Sequence, residues 1–316
     1  MSPVLNASVA PASLPVEIRA SLSREEFEDR MHPVGAPVIV AGAMRDWPAM
    51  QRWTFEFFRT RYGRDTTLVE DSLYDPTNAV RVRLAEYLAY LESPQGTRLK
   101  RLEDELRLPN PFYAYGYKPF QRHPELLKDF TVPDVLDDWS AHFSWSYKYL
   151  HFPNWQGWVF LSPLGAKAAL HTDLAATILW HAQVRGRKRC VLFSPRDTAY
   201  LYDGDVDPLQ PDLERFPLYQ HAQPFECVLE PGMMLFLPPN WFHYVLTLEP
   251  SITISYNVVN RINFGYYVES RQPMRFAQWL RRLPVEPRDR VLRRALGSIP
   301  ALRRLRRALR ELRYRK

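Results

Sequence analysis

Beyond about residue 157 the chain is cut into short apolar runs, each ended by a turn: GWVFLSP, AALHTD, ILWHAQV, RCVLFSP, CVLEPGMMLFLPP, HYVLTL and SITISYNVV. Segments this short and evenly spaced, with no long helix between them, predict a closed or sandwiched all-β core of the jelly-roll kind. A Pro content of 28 against 12 Gly fits fixed turns better than flexible linkers.

Upstream the texture is mixed. Residues 15–60 predict a helix, a strand and a second helix. In SREEFEDRM, Ser23 stands three positions before Glu26, the spacing of a capping box. APVIVAG has the form of a buried strand, and DWPAMQRWTFEFFRTRYG places aromatic and charged residues at helical spacing up to Gly63. TTLVED and AVRVRL predict two strands, AEYLAYLES a helix, PFYAYGY a strand, and PELLKDFTVPDVLDDW a short helix with a Pro-bounded loop.

The net charge of +7 is unevenly spread. Residues 271–316 hold 16 Lys and Arg against 3 Asp and Glu, so the other 270 residues carry a net charge of −6. Leu292, Leu296 and Ile299, then Leu302, Leu305, Leu309 and Leu312 beyond Pro300, predict basic amphipathic helices. Three uses are open: packing on the barrel or in a homodimer, binding nucleic acid or another anionic partner, and capture of an acidic substrate. Aromatic residues are sparse there, Trp279 and Tyr314 among them, which disfavours single-strand nucleic-acid readout. The first residues lack the basic start of a secretory signal, and no window reaches the ~20 apolar residues of a bilayer span. With only Cys190 and Cys227 there is no disulfide framework, so a reducing, cytoplasmic location is expected.

Chemistry concentrates at His171-Thr172-Asp173. Within a strand, alternate residues share a face, so both side chains can enter a barrel. His243, behind the Pro-Pro-Asn-Trp turn, is the third candidate. Two His and one carboxylate leave about three positions of an octahedral ferrous ion open. The run Arg185-Gly186-Arg187-Lys188-Arg189 precedes an apolar strand. In isolation it is a solvated turn; between two core strands, Lys188 can meet the far carboxylate of a dicarboxylate cosubstrate. Ser255, twelve residues past His243, offers a hydroxyl, and Asn257 shares its face.

LHTDLAATILWHAQVRGRKRCVLFSP and EPGMMLFLPPNWFHYVLTLEPSITISYNVV resemble the two halves of the JmjC, or cupin-like, iron(II)/2-oxoglutarate oxygenases, within them the lysyl hydroxylase and arginine demethylase subgroup. Thr177 and Trp180 match its Thr-x-x-Trp, and the resemblance covers roughly residues 30–262. It implies a mainly β fold with a double-stranded β-helix (jelly-roll) core at 141–262. A tail (1–14) and an N-terminal α/β region (15–140) that extends the barrel precede this core, and C-terminal helices (263–316) follow it.

It further implies Fe(II) on His171, Asp173 and His243, 2-oxoglutarate on Lys188, Ser255 and Asn257, and O2 as oxidant. Thr177 and His181 belong to the cosubstrate region. His181 stands where relatives have Asn, and Ala168 where they have Thr, so His181 is either a contact or a core residue. The implied reaction couples decarboxylation of 2-oxoglutarate to succinate with oxidation of a C–H bond in a protein, peptide or small molecule. Asp173 favours hydroxylation over halogenation, and demethylation shares the same first step. Tyr113, Tyr115, Tyr117, Trp145 and Trp155 are candidates to face substrate, or to pack in the core. The rival readings are a cupin-fold binding protein without catalysis, a manganese or zinc isomerase, and a nucleic-acid or acidic-partner binder acting through the basic helices.

Overall fold

The computed structural model describes residues 11–71, 78–139 and 157–270. The chain divides into two units, Met1–Tyr267 and Val268–Lys316. The basic stripes of residues 292–312, together with Trp145 and Trp155, lie outside the described residues.

The N-terminal elements are β1 (Leu14–Pro15), β2 (Glu17–Arg19), α1 (Arg24–Met31), β3 (Val38–Ala41), α2 (Pro48–Arg52), α3 (Phe55–Tyr62), β4 (Thr66–Val69), β5 (Val80–Arg83), α4 (Leu84–Glu92), α5 (Arg98–Leu106) and β6 (Ala114–Tyr117). Eight strands follow: β7 (Trp158–Ser162), β8 (Lys167–His171), β9 (Ile178–Arg185), β10 (Lys188–Phe193), β11 (Pro224–Leu229), β12 (Met233–Leu237), β13 (Phe242–Thr247) and β14 (Ser251–Val258). A last helix, α6, covers Phe264–Ser270.

These eight strands divide equally between two sheets, β12-β9-β14-β7 and β11-β10-β13-β8, the jelly-roll arrangement. β3 and β2 extend the first sheet at one edge and β6 at the other; β1 extends the second. β1 joins β11 and β2 joins β3 in parallel, so both sheets are mixed.

Alternation along the strands explains how the layers stack. In β9 and β14 nearly every residue is buried, because both faces of that sheet are covered. Trp180, Ile254 and Tyr256 point outward and pack with Phe27, Trp53, Phe58 and Leu88 of the helical layer. His181, Ser255 and Asn257, at the intervening positions, point between the sheets and line a cavity. The second sheet turns Val191, Phe193, Phe242 and Tyr244 outward onto a loop carrying Leu201, Tyr202, Phe216 and Tyr219.

The helical layer is held to the barrel by local devices. Ser23 and Glu26 form both arms of the capping box on α1. The single helix expected over 46–63 is broken in two. Trp53 leaves the helix to donate its indole N–H to buried Asp129 (2.8 Å), and Thr54 restarts the chain by capping the amide of Phe57. Arg185 reaches from β9 to the carbonyls of Met50, Gln51 and Trp53, groups that the end of α2 leaves open. No described helix is long and apolar enough to cross a membrane.

Candidate metal centre

His171 ends β8 and lies directly opposite His243 of β13, with ring centroids 4.1 Å apart. The strand stops there, so Asp173 is not a strand residue as its spacing suggested. It stands in extended backbone (φ −65°, ψ 147°) just before a tight turn. In that turn Ala175 and Ala176 have φ of 69° and 50°, conformations that L residues adopt only under constraint from their surroundings. The turn brings the carboxylate back onto the two imidazoles. Each of the three residues offers an atom lying within 4.8 Å of the others, close enough to share one ion.

The histidine rings are oriented by the backbone. Nδ1 of His171 is 2.6 Å from the carbonyl oxygen of Ala169, and Nδ1 of His243 is 3.3 Å from that of Trp241. With the proton on Nδ1 each ring donates to its carbonyl, the tautomer in which Nε2 is the ligating nitrogen. Burial, reinforced by His243 beside it, pushes the pKa of His171 down to about 3. The ring is therefore neutral at any working pH, as a ligand must be. His243 is reached through the Pro238–Trp241 turn, where Asn240 takes φ 63°, a left-handed value that Asn tolerates.

Behind the three residues lies a cavity of about 500 Å³, within the range of small-ligand sites. Lys188, at the start of β10, is 3% exposed and faces this cavity. Its ammonium donates to the Tyr113 hydroxyl (2.9 Å) and lies 5.3 and 5.6 Å from the ring centres of Tyr113 and Phe160. Among the described residues no carboxylate is bonded to it, and burial pulls its pKa down to about 7. Lys188 faces Thr247 and Leu192 faces His243, so the lysine and the metal ligands lie on the inner face of neighbouring strands.

Opposite, on β9 and β14, Ser255 is paired with His181 and Asn257 with Leu179. Nine buried side-chain polar atoms among the described residues lack a partner. Four of them, Asp173 Oδ2, His181 Nδ1, Ser255 Oγ and Asn257 Oδ1, belong to residues lining this one cavity. An unpaired buried polar atom costs about 1–3 kcal/mol, so their convergence fits a polar occupant that satisfies them together. Burial, then the charge of Lys188, holds His181 well below the usual imidazole range, so it too is neutral.

Of the residues expected from sequence, Thr177 is not part of the lining. Its hydroxyl accepts from the Asn257 amide (2.5 Å) and so fixes that side chain from behind. The tyrosines part company. Tyr113 and Tyr115 line the cavity, whereas Tyr117 turns into the core and donates to Asp65 (2.9 Å). A register shift between Ala114 and Tyr117 separates them. Glu70, Lys118, Cys190 and Thr253 also line the cavity, and sequence reading had not marked any of them as site residues. Strand parity with Lys188 and Ser255 is the signal that would have found Cys190 and Thr253.

Comparison with known proteins gives a consistent result. A family model described as a cupin-like domain matches residues 24–262. Lysine-specific demethylase JMJ21 of Arabidopsis thaliana is 30% identical over 265 residues, covering 79% of this chain and 26% of that protein. Lysine-specific demethylase 8 of Xenopus tropicalis is 29% identical over 243 residues, 74% of this chain and 50% of the relative. Arginine-specific demethylase JMJ20 of Arabidopsis thaliana is 25% identical over 266 residues, 78% and 57% respectively. The chain thus spans between a quarter and just over half of the length of these relatives.

Proposed function

From the premise that this chain belongs to the cupin-like domain family, with JmjC demethylases and hydroxylases as its relatives, we propose that it is an iron(II)- and 2-oxoglutarate-dependent oxygenase that hydroxylates a side chain of a protein or peptide. The observation that carries the reading is the pairing of a three-residue ligand set with a buried, carboxylate-free lysine across one cavity.

In this reading His171, Asp173 and His243 would hold the metal at the wall of the cavity. When bound, iron with 2-oxoglutarate supplies oxidation of an unactivated C–H bond, releasing succinate and carbon dioxide. Lys188 receives the far carboxylate of the cosubstrate, and the Ser255 hydroxyl shares it. Asn257, held by Thr177, supplies a further hydrogen bond, and so does His181, which stands where relatives have Asn. Phe160, Trp158 and Leu179 keep the site dry, which strengthens each of these charge contacts. Tyr113 and Tyr115 form the wall that a substrate side chain meets. We read residues 15–140 as the region that supports the barrel, 141–262 as the barrel, and 263–316 as a separate basic segment.

The relatives' names point to lysine and arginine residues in proteins as substrates, which favours a polypeptide over a small metabolite. Oxidation at an N-methyl carbon would release formaldehyde, whereas oxidation at a side-chain carbon leaves a stable hydroxyl. The test is succinate formation by the chain supplied with ferrous ion, 2-oxoglutarate and ascorbate, alongside an Asp173→Ala variant. Succinate from the parent and none from the variant is the expected outcome. Equal turnover by both contradicts the assignment of Asp173 as a ligand, and none by either in the presence of bound iron contradicts the reading and leaves a binding protein on the same barrel.

A further inference from the structure

The two cysteines of the chain, distant in sequence, meet on one rung of the second sheet. Cys190 of β10 is paired directly with Cys227 of β11. Cross-strand partners share a face, and here it is the inner one. Cys190 lines the cavity, and both side chains pack with Leu192, Leu229 and Leu235 between the sheets. The register is held from the outer face, where Arg189 donates twice to the Glu226 carboxylate (3.0 and 2.7 Å). Facing Cα atoms of an antiparallel pair stand about 4.5–5.5 Å apart, inside the span of about 4.4–6.8 Å that a disulfide bridges. Both cysteines are free.

Each sulfur is within reach of a small oxidant. Cys190 faces the cavity, which meets solvent at Leu68, 39% exposed. Cys227 is half-buried: β1 covers β11 at Phe225 and Glu226 and ends there, and Val228 beyond it is exposed. Lys188 lies two positions from Cys190 on the same face, and a charge on that sulfur is felt by its ammonium. A neighbouring cation favours the thiolate, the reactive form. The Cys190 side chain, and then burial, push the Cys227 thiol well up, so Cys227 keeps its proton while Cys190 reacts.

The structure assigns Cys190 and Cys227 as an oxidation site for a small peroxide, which closes them into a cross-strand disulfide and reshapes the cavity beside Lys188. The Cys190 thiolate attacks one peroxide oxygen and the O–O bond breaks. Hydroxide leaves and takes up a proton as water, and Cys190 becomes a sulfenic acid. The Cys227 thiol then attacks that sulfur, and its proton departs with the hydroxyl as a second water. Each sulfur loses one electron, and the peroxide gains two. Disulfide Cβ atoms lie about 3.5–4.5 Å apart against about 4.5–5.5 Å for facing residues, so closure draws β10 towards β11 by up to about 1 Å. On its other side Cys190 is paired with Val245, which also lines the cavity, so the wall between Lys188 and His243 moves with it. That this wall meets 2-oxoglutarate rests on the oxygenase reading; the disulfide does not.

The experiment treats the full chain with hydrogen peroxide, beside a Cys227→Ala variant that leaves the cavity lining intact. Thiols are counted with dithiobisnitrobenzoate in denaturant, and peptides are mapped without reductant. The parent should go from two thiols to none, with the peptides of Cys190 and Cys227 joined, and dithiothreitol should restore both. In Cys227→Ala no second thiol is present, so dimedone should trap the Cys190 sulfenic acid. Thiols that survive peroxide, an untrapped Cys190 in the variant, or disulfides formed only between molecules overturn the proposal. Calorimetry should show 2-oxoglutarate bound more weakly by the bridged parent than by the reduced one, with affinity regained on reduction. Equal affinity in the two states overturns the link to the cavity. A bridge that forms in a parent unable to bind 2-oxoglutarate even when reduced would sink the oxygenase reading and spare the oxidation site.

Discussion

Lys188→Met should stabilise the protein without its ligands, and the gain should fade as the pH rises. The lysine is 3% exposed, donates to the Tyr113 hydroxyl, and burial lowers its pKa from 10.5 to about 7. Below pH 7 the ammonium is charged in both folded and unfolded chains, and the folded state bears its full desolvation cost. Between pH 7 and 10.5 the unfolded chain binds more protons at this site than the folded one, so stability rises with pH. A shift of that size is worth about 4–5 kcal/mol at acidic and neutral pH, and about 2 kcal/mol of it disappears between pH 7 and 9. Methionine fills similar volume without the charge, so its variant lacks this slope, and the other titrating groups cancel in the difference. Urea unfolding of metal-free parent and variant at pH 6, 7, 8 and 9 measures it. The parent should close about 2 kcal/mol on the variant between pH 7 and 9. Parallel profiles would mean that the ammonium is solvated and not held against the Tyr113 and Phe160 rings. Added 2-oxoglutarate should raise the stability of the parent by an amount that grows with ligand concentration, and leave the variant unmoved.

His171→Ala and His243→Ala should each abolish binding of ferrous or cobaltous ion, followed by optical titration, while far-UV circular dichroism stays unchanged. Ser255→Ala removes a buried hydroxyl without a partner, so the ligand-free protein should be unchanged or gain about 1 kcal/mol; 2-oxoglutarate binding by calorimetry should weaken. Asp129→Ala leaves the Trp53 indole N–H and Arg52 without their acceptor and should cost about 2–3 kcal/mol in urea unfolding. The cavity lies on the far side of the sheet, so iron binding should be retained.

The strands and the ligand spacing could be read ahead of the structure because both depend on period two. His171, His243, Lys188 and Ser255 are all placed by which face of a strand they occupy. Asp173 escaped that logic, since its aim is set by the left-handed turn at Ala175 and Ala176, residue types that give no turn signal. Tyr117 was lost for a related reason: one shift of register turned it from the cavity to the core. The break at Trp53 is tertiary in origin, because nothing local says that an indole will leave its helix for an aspartate 76 positions away. α5 was also unforeseen; its sequence RLKRLEDEL is so polar that only Leu99 is buried. The loop over 195–222 reads as irregular, yet it supplies the apolar cover of the second sheet.

β9 and β14 are buried on both sides, with Trp180 stacked on Tyr256 at 5.0 Å and 8° immediately beside His181 and Ser255 in the chain. An outward side chain and its inward neighbour share one stretch of backbone, so a change in bulk beneath the helices displaces groups that line the cavity. Divergence among homologues at Trp180, Tyr256, or Gly157, where a methyl group would strike the Tyr256 ring at 2.3 Å, is thus a route to altered reactivity that leaves every contact residue in place. A search for selectivity restricted to the lining would overlook these outward positions.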